Sequence, residues 1–511
     1  MYCLLLCVFL SCTALVVVSA VLSTLTCDEG QVYVAITKQC RLYAAEESYH
    51  ILDGSTVLKM SEPFANSEKR TDEYCLPATA NNQYTFKLYD SIGGSGDSWY
   101  NGAWVSVAGI YGNVVFKNFM IEKAEETFAL SLYYPVMKNA EWKMLATTSS
   151  VAADWNTVNF GESGWNAVTL GSAPAATGTQ YFRKTFTGIA NMAAYEYDMN
   201  YRYGIVVYVN GVEVLRDHMA DGAVSATTPS NGGFTEYEFH GVIRPAGEVT
   251  TSNNVFAVEL HFPSMGENAV EFNAFVAALA SSTPNTDNTN CYIYSYDVTL
   301  TASGGTATAS IFDFGKTSYY NAASSVLPAT VTYELAGPRA HINVLRVWPY
   351  TYITQAPGEF SLSGAMSSSG TYSTVLTATH ATYSASTFKM FYGYYNAKPY
   401  QSYRLTLNSA VSTTKVYAPE VHLMVCSEMA PSSITFTPST YSVYTEYEEV
   451  YIRPDAQELT GCTLAPALPA GLNFDAATCT VSGRATSAIA ATTFTMSVTM
   501  GGQSIQGTFS L

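Results

Sequence analysis

Alternation of apolar and polar residues is the dominant pattern along this chain of 511 residues. It is clearest in Tyr84–Asp90, in Thr493–Val498 and in the second half of Asn254–Phe262. Successive side chains of a β-strand point to opposite faces, so this period of two predicts half-buried strands. Long amphipathic segments with the period of a helix are absent from the sequence. The pattern therefore predicts an all-β protein.

The strongest local signal is a hairpin within Tyr203–Arg216. Asn210-Gly211 separates two runs that are rich in β-branched residues. Both residues tolerate a positive φ, which a two-residue type I′ turn requires. We therefore expect two antiparallel strands that are joined at Asn210 and Gly211.

The segments around this hairpin resemble a known domain family. Trp155–Trp165, Tyr181–Phe186 and Asn254–Phe262 accompany the hairpin, and in this order they are similar to the galactose-binding-like jelly roll. The resemblance covers Glu141 to Ala280. It implies a binding or scaffolding module rather than a catalytic one, although a fold by itself does not identify a ligand.

The alternation also predicts which side chains of Tyr181–Phe186 are buried. Phe182 and Phe186 are separated by two periods of the strand alternation, so their side chains point to the same face. We expect that face to pack against the core. Arg183 then points away from the core, towards solvent. We expect Trp155 and Trp165 to pack near one end of the same domain.

A glycine-rich loop, Gly93–Gly102, follows the strand Tyr84–Asp90. Together they resemble a small β-sandwich unit of protist and bacterial surface proteins. Three side chains of this region carry oxygen atoms that could bind Ca²⁺: Asp90, Asp97 and Asn101. Because the ligand order of an EF-hand is missing, we favour the alternative that these side chains cap a turn while Trp99 plugs the sandwich. No cofactor is required by the sequence.

The block between Cys291 and Cys426 contains further predicted strands. Within it, Gly358–Gly364 is similar to a segment of the discoidin (F5/8 type C) domains, with Phe360 where that family usually has Trp. Pairing of the terminal cysteines is a habit of that family, so the resemblance implies a Cys291–Cys426 disulfide.

The last block, from Ser432 to Leu511, resembles the Ig-like domains of large surface proteins. The resemblance is carried by the segment Leu468–Asp475 and by Val481-Ser482-Gly483. We expect Leu472 and Phe474 to point into the sandwich. We expect a disulfide between Cys462 and Cys479 inside this domain.

The resemblances divide the chain into tandem β-sandwich and jelly-roll domains that end in an Ig-like sandwich. The predicted divisions are a signal peptide or anchor (1–20), a Cys-containing leader (21–78), a small β-sandwich (79–138), a jelly roll (139–283), a discoidin-like sandwich (284–428) and an Ig-like domain (429–511).

The apolar segment Leu4–Val18, followed by Val18-Ser19-Ala20, has the pattern of a cleavable signal peptide. The alternative is an uncleaved anchor, because the uncharged run is long enough to span a bilayer. We expect a secreted or extracellular cell-surface protein, with membrane association only through this segment or through a C-terminal anchor missing from the chain.

Seven cysteines follow the signal segment, so an oxidising compartment predicts disulfides and leaves one thiol over. The pairing of Cys27, Cys40 and Cys75 is left open by their spacing. The net charge of −17 repels phosphate groups, which argues against nucleic acid as a partner.

We find no catalytic motif in the sequence. The seven histidines have no metal-binding spacing, and Gly161-Glu162-Ser163-Gly164 lacks the spacing and context of a nucleophile elbow. The sequence therefore predicts a non-enzymatic binding or adhesion protein, with glycans or cell-surface and matrix glycoproteins as partners. The alternatives are the accessory region of a glycoside hydrolase and a structural spacer.

Sugar binding by such a domain requires exposed aromatic rings beside hydrogen-bonding groups, usually on loops at one end of a sandwich. Five aromatic residues are the candidates for ligand contact: Trp99, Tyr100, Trp348, Tyr350 and Tyr352.

Overall fold

A computed structural model describes most of the chain from residue 25 onwards. The described residues are 25–92, 99, 102–120, 123–171, 175–268, 271–285, 289–306, 311–312, 320–378, 381–393, 398–413, 415–418, 420–427, 434, 436, 439–441, 449–454, 462–476, 478–488, 490–500 and 503–511. The predicted signal peptide lies outside them.

Within these ranges the chain forms β-strands and short 3-10 turns but no α-helix, which confirms the all-β prediction. The 3-10 turns are Ala44–Glu46, Ala80–Asn82, Ala246–Glu248 and Ser324–Val326. None of the described segments is a helix long and apolar enough to cross a membrane.

The described residues of the first sandwich form eight strands in two four-stranded sheets. They are β1 (Gln31–Gln39), β2 (Glu47–Asp53), β3 (Thr56–Met60), β4 (Lys69–Pro77), β5 (Gln83–Asp90), β6 (Trp104–Ala108), β7 (Val114–Asn118) and β8 (Glu125–Ser131). One sheet has the order β4-β1-β6-β7 and the other the order β3-β2-β5-β8.

This arrangement corrects the predicted boundary at residue 78. Strand β1 pairs with β6 as well as with β4, and β2 pairs with β5. The segments 21–78 and 79–138 therefore contribute strands to the same two sheets. The physical reason is that buried leader residues such as Ile36 and Tyr49 share one core with Phe86 and Val107.

The jelly-roll block contains strands β9 to β19. They are β9 (Glu141–Thr147), β10 (Asn166–Thr169), β11 (Ala176–Thr177), β12 (Thr179–Thr187), β13 (Met192–Tyr201), β14 (Gly204–Val209), β15 (Val212–Asp217), β16 (Glu238–Pro245), β17 (Asn253–His261), β18 (Glu267–Asn268) and β19 (Asn273–Ala280). A six-stranded sheet, β10-β9-β12-β17-β14-β15, faces a sheet that contains β19-β13-β16.

The predicted hairpin is confirmed, since β14 and β15 pair and Asn210 and Gly211 have φ of 52° and 86°. Phe182 and Phe186 are buried in the core, as predicted. The prediction for Arg183 is wrong, because its side chain is only 1% exposed. It does lie on the face opposite the core, but residues between β9 and β10 cover that face.

The third block contains strands β20 to β31. They are β20 (Cys291–Ile293), β21 (Val298–Ser303), β22 (Tyr320–Ala323), β23 (Ala329–Leu335), β24 (Arg339–Ala340), β25 (Val344–Trp348), β26 (Pro357–Ala365), β27 (Ser373–Ala378), β28 (Lys389–Tyr392), β29 (Ser402–Ala410), β30 (Lys415–Ala418) and β31 (Glu420–Cys426). The sheet β20-β31-β25-β28 faces the sheet β21-β23-β29-β26-β27. Strand β24 instead joins β16 of the jelly roll in parallel.

The described residues of the Ig-like block form six strands in two three-stranded sheets. They are β32 (Val450–Ile452), β33 (Thr463–Ala465), β34 (Leu472–Asp475), β35 (Thr480–Gly483), β36 (Thr493–Met500) and β37 (Gln503–Ser510). The sheet orders are β32-β35-β34 and β33-β36-β37. Leu472 is buried against the core, and Phe474 packs beside it.

The first three blocks share a core. The jelly-roll sheet β19-β13-β16-β24 buries one face, including Tyr197, in its own core. Its opposite face, including Phe275 and Leu279, belongs to the core cluster that also contains the cores of the first and third blocks. At this junction the Tyr296 hydroxyl donates a 2.5 Å hydrogen bond to the buried Glu196 carboxyl. Burial is the main cause that raises the pKa of Glu196 well above its ordinary value.

Candidate functional site

The candidate site begins on strand β25 of the third block. Leu345 and Val347 point into the core, so the alternating residues Arg346 and Trp348 point to the outer face of the sheet. Their cross-strand partners extend this outer face. Met390 and His422 pair with Arg346 on either side, and Glu420 pairs with Trp348.

The first sandwich covers this outer face without filling the space above it. A cavity of about 470 Å³ remains between the two blocks. It is lined by Asn118, Phe119, Lys123, Glu126, Pro284, Thr289, Arg346, Trp348, Ser386, Thr387, Phe388 and Met390. We call this space the Trp348 cleft.

One wall of the cleft is aromatic and cationic. The Arg346 guanidinium lies 3.6 Å from the centre of the Phe388 ring, a favourable cation–π arrangement. The Trp348 ring lies 4.9 Å from the same ring. Trp348 is only 3% exposed, and its indole N–H has no hydrogen-bond partner among the described residues.

The opposite wall is polar. The Lys123 ammonium is 3.1 Å from the Glu126 carboxylate, and the Lys123 side chain is 44% exposed. Behind the cleft, burial and then the charge of Arg346 hold the pKa of His422 well below its ordinary value. His422 is therefore neutral at pH 7, and the buried positive charge on this face belongs to Arg346.

The structure places the predicted ligand residues in three different settings. Trp348 lines the cleft, although it is buried rather than exposed as predicted. Tyr350 and Tyr352 lie beside the cleft with their rings 5.7 Å apart. The Tyr350 carbonyl accepts a 3.0 Å hydrogen bond from the backbone N–H of Ser386, a residue of the cleft wall.

Trp99 does not meet the requirement for an exposed ring, so that prediction is wrong. Its side chain is 2% exposed, and its indole N–H donates to the Tyr89 carbonyl at 3.2 Å. The Lys38 ammonium lies 3.9 Å from the ring centre. Trp99 fills the interior of the first sandwich, as the structural alternative expected.

The predicted Ca²⁺ ligands are only partly described. Asp97 and Asn101, together with the candidate Tyr100, lie outside the described residues. Asp90 is 3% exposed, and one of its carboxyl oxygens accepts a hydrogen bond from the Ile92 N–H at 3.2 Å. The described part of the chain contains no group of three His, Cys, Asp or Glu residues that could hold a metal ion.

Three disulfides are present in the described structure. Cys291–Cys426 connects the paired strands β20 and β31, and Cys462–Cys479 lies in the Ig-like block, as expected. Cys27–Cys75 settles a pairing that the sequence left open. Cys40 is the remaining thiol, and burial raises its pKa to about 11.

Sequence reasoning missed Arg346, Phe388 and Lys123. The alternation in Val344–Trp348 contained a signal, because it places Arg346 beside Trp348 on one face of a strand. Which side of the sheet faces another domain depends on packing far along the chain. No local pattern carries that information.

Comparisons with known proteins give one family match. A family model described as "Putative Ig domain" matches residues 424–511, in agreement with the resemblance of the last block. No curated protein matches the chain. Together with the sheets described above, the match identifies a multidomain β-sandwich protein.

Several solved structures are similar to parts of this chain at low identity. A family 32 carbohydrate-binding module from Clostridium perfringens, in complex with GalNAc-β-1,3-galactose, is 15% identical and has a TM-score of 0.22; the match covers 24% of this chain and 93% of that one. A fucolectin from Morone saxatilis serum is 9% identical, with a TM-score of 0.23 and coverage of 57% and 96%. A Bacteroides uniformis β-glucuronidase is 13% identical, with a TM-score of 0.23 and coverage of 53% and 28%.

Proposed function

We infer that this protein is a non-catalytic carbohydrate-binding protein and that the Trp348 cleft holds a sugar residue. The observation that carries the inference is the buried indole N–H of Trp348, which has no hydrogen-bond partner in the described structure and belongs to a residue that lines the cleft. A buried donor without a partner costs free energy, which a ligand acceptor would recover.

The chemistry of the cleft suits a sugar. A sugar ring presents apolar C–H groups on its faces and hydroxyl groups around its edge. Phe119 and Phe388 supply apolar aromatic surface, while Trp348, Thr387 and Lys123 supply hydrogen-bond donors. The volume of about 470 Å³ lies within the range of about 300–1,000 Å³ that is usual for ligand pockets.

The partners are glycans or glycoproteins on a cell surface or in a matrix. The three disulfides support a secreted or extracellular location, because such bonds persist in oxidising compartments. Ca²⁺ bound through the loop after β5 is a separate part of the proposal. It is tested by comparing binding with and without the ion.

A glycan array probed with the recombinant chain, with and without Ca²⁺, tests this function. We expect binding with millimolar to micromolar affinity, or about 4–8 kcal/mol. Trp348→Ala should abolish the signal while the circular dichroism spectrum is retained. Trp104→Phe is the matched control, since Trp104 is a half-buried tryptophan of β6 that does not line the cleft.

Two results would replace the proposal. Absence of glycan binding under both conditions would favour a structural spacer. Hydrolysis of aryl-glycosides would instead favour a glycoside hydrolase whose catalytic part the sequence does not reveal.

A further inference from the structure

A buried amine and a buried carboxyl group are in contact inside the first sandwich, and a second buried carboxyl group belongs to the neighbouring strand. Lys38 is near the end of β1, Glu47 begins β2, and Asp90 ends β5. Their exposed fractions are 0%, 3% and 3%. Neither the resemblances nor the sugar-binding proposal gives Lys38 or Glu47 a function, and Asp90 has so far been only a candidate Ca²⁺ ligand.

Lys38 and Glu47 are in direct contact across the sandwich. The Lys38 ammonium donates to Glu47 Oε2 and also to the Gln39 carbonyl at 3.0 Å. Trp99 covers the amine, with 3.9 Å between the nitrogen and the ring centre. Strand β1 belongs to one sheet and β2 to the other, so this contact joins the two sheets.

Asp90 lies next to this pair. It is the direct cross-strand partner of Glu47 in the antiparallel pair β2–β5. Directly opposed residues project to the same face of a sheet, with Cβ atoms about 4.5–5.5 Å apart. A second carboxyl group is therefore within reach of the first.

This environment favours the uncharged forms of an amine and an acid. Burial is the largest influence on the pKa of Lys38 and lowers it, although Glu47 acts in the opposite direction. A buried ion pair costs several kcal/mol of desolvation per ion, of the order of its attraction. Transfer of the proton from Lys38 to Glu47 gives a neutral amine in contact with a neutral carboxylic acid.

We propose that Lys38 and Glu47 are joined by an amide bond that forms inside the folded first sandwich. The Lys38 nitrogen attacks Cδ of the protonated Glu47 carboxyl group, a C–N bond forms, and a C–O bond breaks. One nitrogen proton leaves with the hydroxyl group as water. Asp90 accepts that proton from the nitrogen and delivers it to the leaving oxygen, so no oxidant, cofactor or external reagent is needed.

The folded structure favours formation of the amide bond in two ways. Holding two reacting groups in contact replaces a bimolecular encounter and corresponds to effective concentrations of up to about 10⁵–10⁸ M in well-oriented cases. Exclusion of water opposes hydrolysis of the product. The resulting covalent link ties the two sheets together at one end of the sandwich.

Intact mass spectrometry of the purified, reduced and denatured chain tests the proposal. We expect a mass lower than the sequence mass by one water, and a branched proteolytic peptide that joins Lys38 to Glu47. Lys38→Met and Glu47→Met should each show the full sequence mass for their own variant. Cys40→Ala, a change of the buried thiol close to Lys38, should still lose one water.

The wild-type measurement alone can overturn the proposal, whether or not the variants fold. An unmodified mass for the folded wild-type chain would mean that Lys38 and Glu47 form only an ion pair. A folded Asp90→Asn variant should lose water more slowly than the wild-type chain, so that chains of unmodified mass persist over a time course. Loss of water at the wild-type rate in that variant would remove Asp90 from the reaction.

Discussion

Two outer sheet faces of this molecule carry the same kinds of side chain but differ in what covers them. On the jelly-roll sheet, Arg183 lies with Trp155, Trp165 and Tyr181. On the third block, Arg346 lies with Trp348 and Phe388. Both faces thus combine a buried arginine with aromatic rings.

The jelly-roll face is closed by a segment of its own domain. Residues between β9 and β10 lie over it, and Trp155 and Trp165 stack with 6.1 Å between ring centres. The Arg183 guanidinium donates to the carbonyls of Trp155 and Thr157 and to the Glu162 carboxylate. Each of these acceptors comes from the covering segment.

The face of the third block is covered by another domain instead. The surfaces of the two blocks do not fill every gap between them, and a cavity remains. Trp348, one of the residues that line it, has an indole nitrogen with no hydrogen-bond partner among the described residues. The origin of the cover, and not the set of residue types, therefore separates the closed face around Arg183 from the candidate site at Trp348.

The inner face of the jelly-roll sheet sets the scale for this comparison. Phe186→Ala should lower the free energy of unfolding by about 3–5 kcal/mol, because the side chain is buried in the core. Urea denaturation followed by fluorescence measures the change. Phe186→Leu, which retains most of the volume, should cost less than about 1.5 kcal/mol.

Substitution of Arg183, on the face that is closed by its own domain, should have the next largest effect on stability. Arg183→Ala should cost about 2–3 kcal/mol, because it leaves buried carbonyl groups and Glu162 without their charged donor. The neighbouring Lys184→Ala is the control and should cost less than about 1 kcal/mol, since its contact with the Glu141 carbonyl is exposed. Equal costs for the two variants would contradict the closed arrangement around Arg183.

Substitution of Trp348 in the cleft should affect sugar binding more than stability, in contrast to substitution of Arg183. Trp348→Phe removes the indole N–H but keeps an aromatic ring, so we expect a stability loss below about 1.5 kcal/mol. Sugar affinity should fall about tenfold, the value of one neutral hydrogen bond of about 1.4 kcal/mol. Calorimetric titration with the best array ligand measures the affinity, and an unchanged value would exclude the indole N–H from recognition.

The smallest effect is expected at the rim of the cleft. Lys123→Ala should change affinity only a few-fold, because the side chain is 44% exposed and solvent screens its charge. Any effect should shrink as ionic strength rises from 50 to about 500 mM, where screening acts within a few ångströms. A large effect that is independent of salt would place Lys123 deep in the site.

Local patterns predicted the parts of this fold that depend on neighbouring residues. The Asn210-Gly211 turn depends only on the backbone freedom of two residues. The burial of Phe186 follows from the period of a strand alone. The same period put Arg183 on the correct face, yet its exposure depended on a covering segment that no period describes. The prediction that the rings of Trp99 and Trp348 are exposed was wrong for the same reason.

The boundary at residue 78 shows the same limit at a larger scale. The apolar residues of β1 and β2 were visible in the sequence, but their partners in β5 and β6 lie further along the chain. Strand pairing of this kind is set by the sum of long-range contacts. A single sequence contains no direct record of those contacts.

The jelly-roll sheet that is buried on both faces has a consequence for how this protein can evolve. Tandem sandwiches in a string can be exchanged, duplicated or lost one at a time, because each retains its own surface. Here, removal of the first or third block would expose Phe275 and Leu279 to water. We therefore expect the first three blocks to be inherited as a single unit, with natural shuffling restricted to positions outside it.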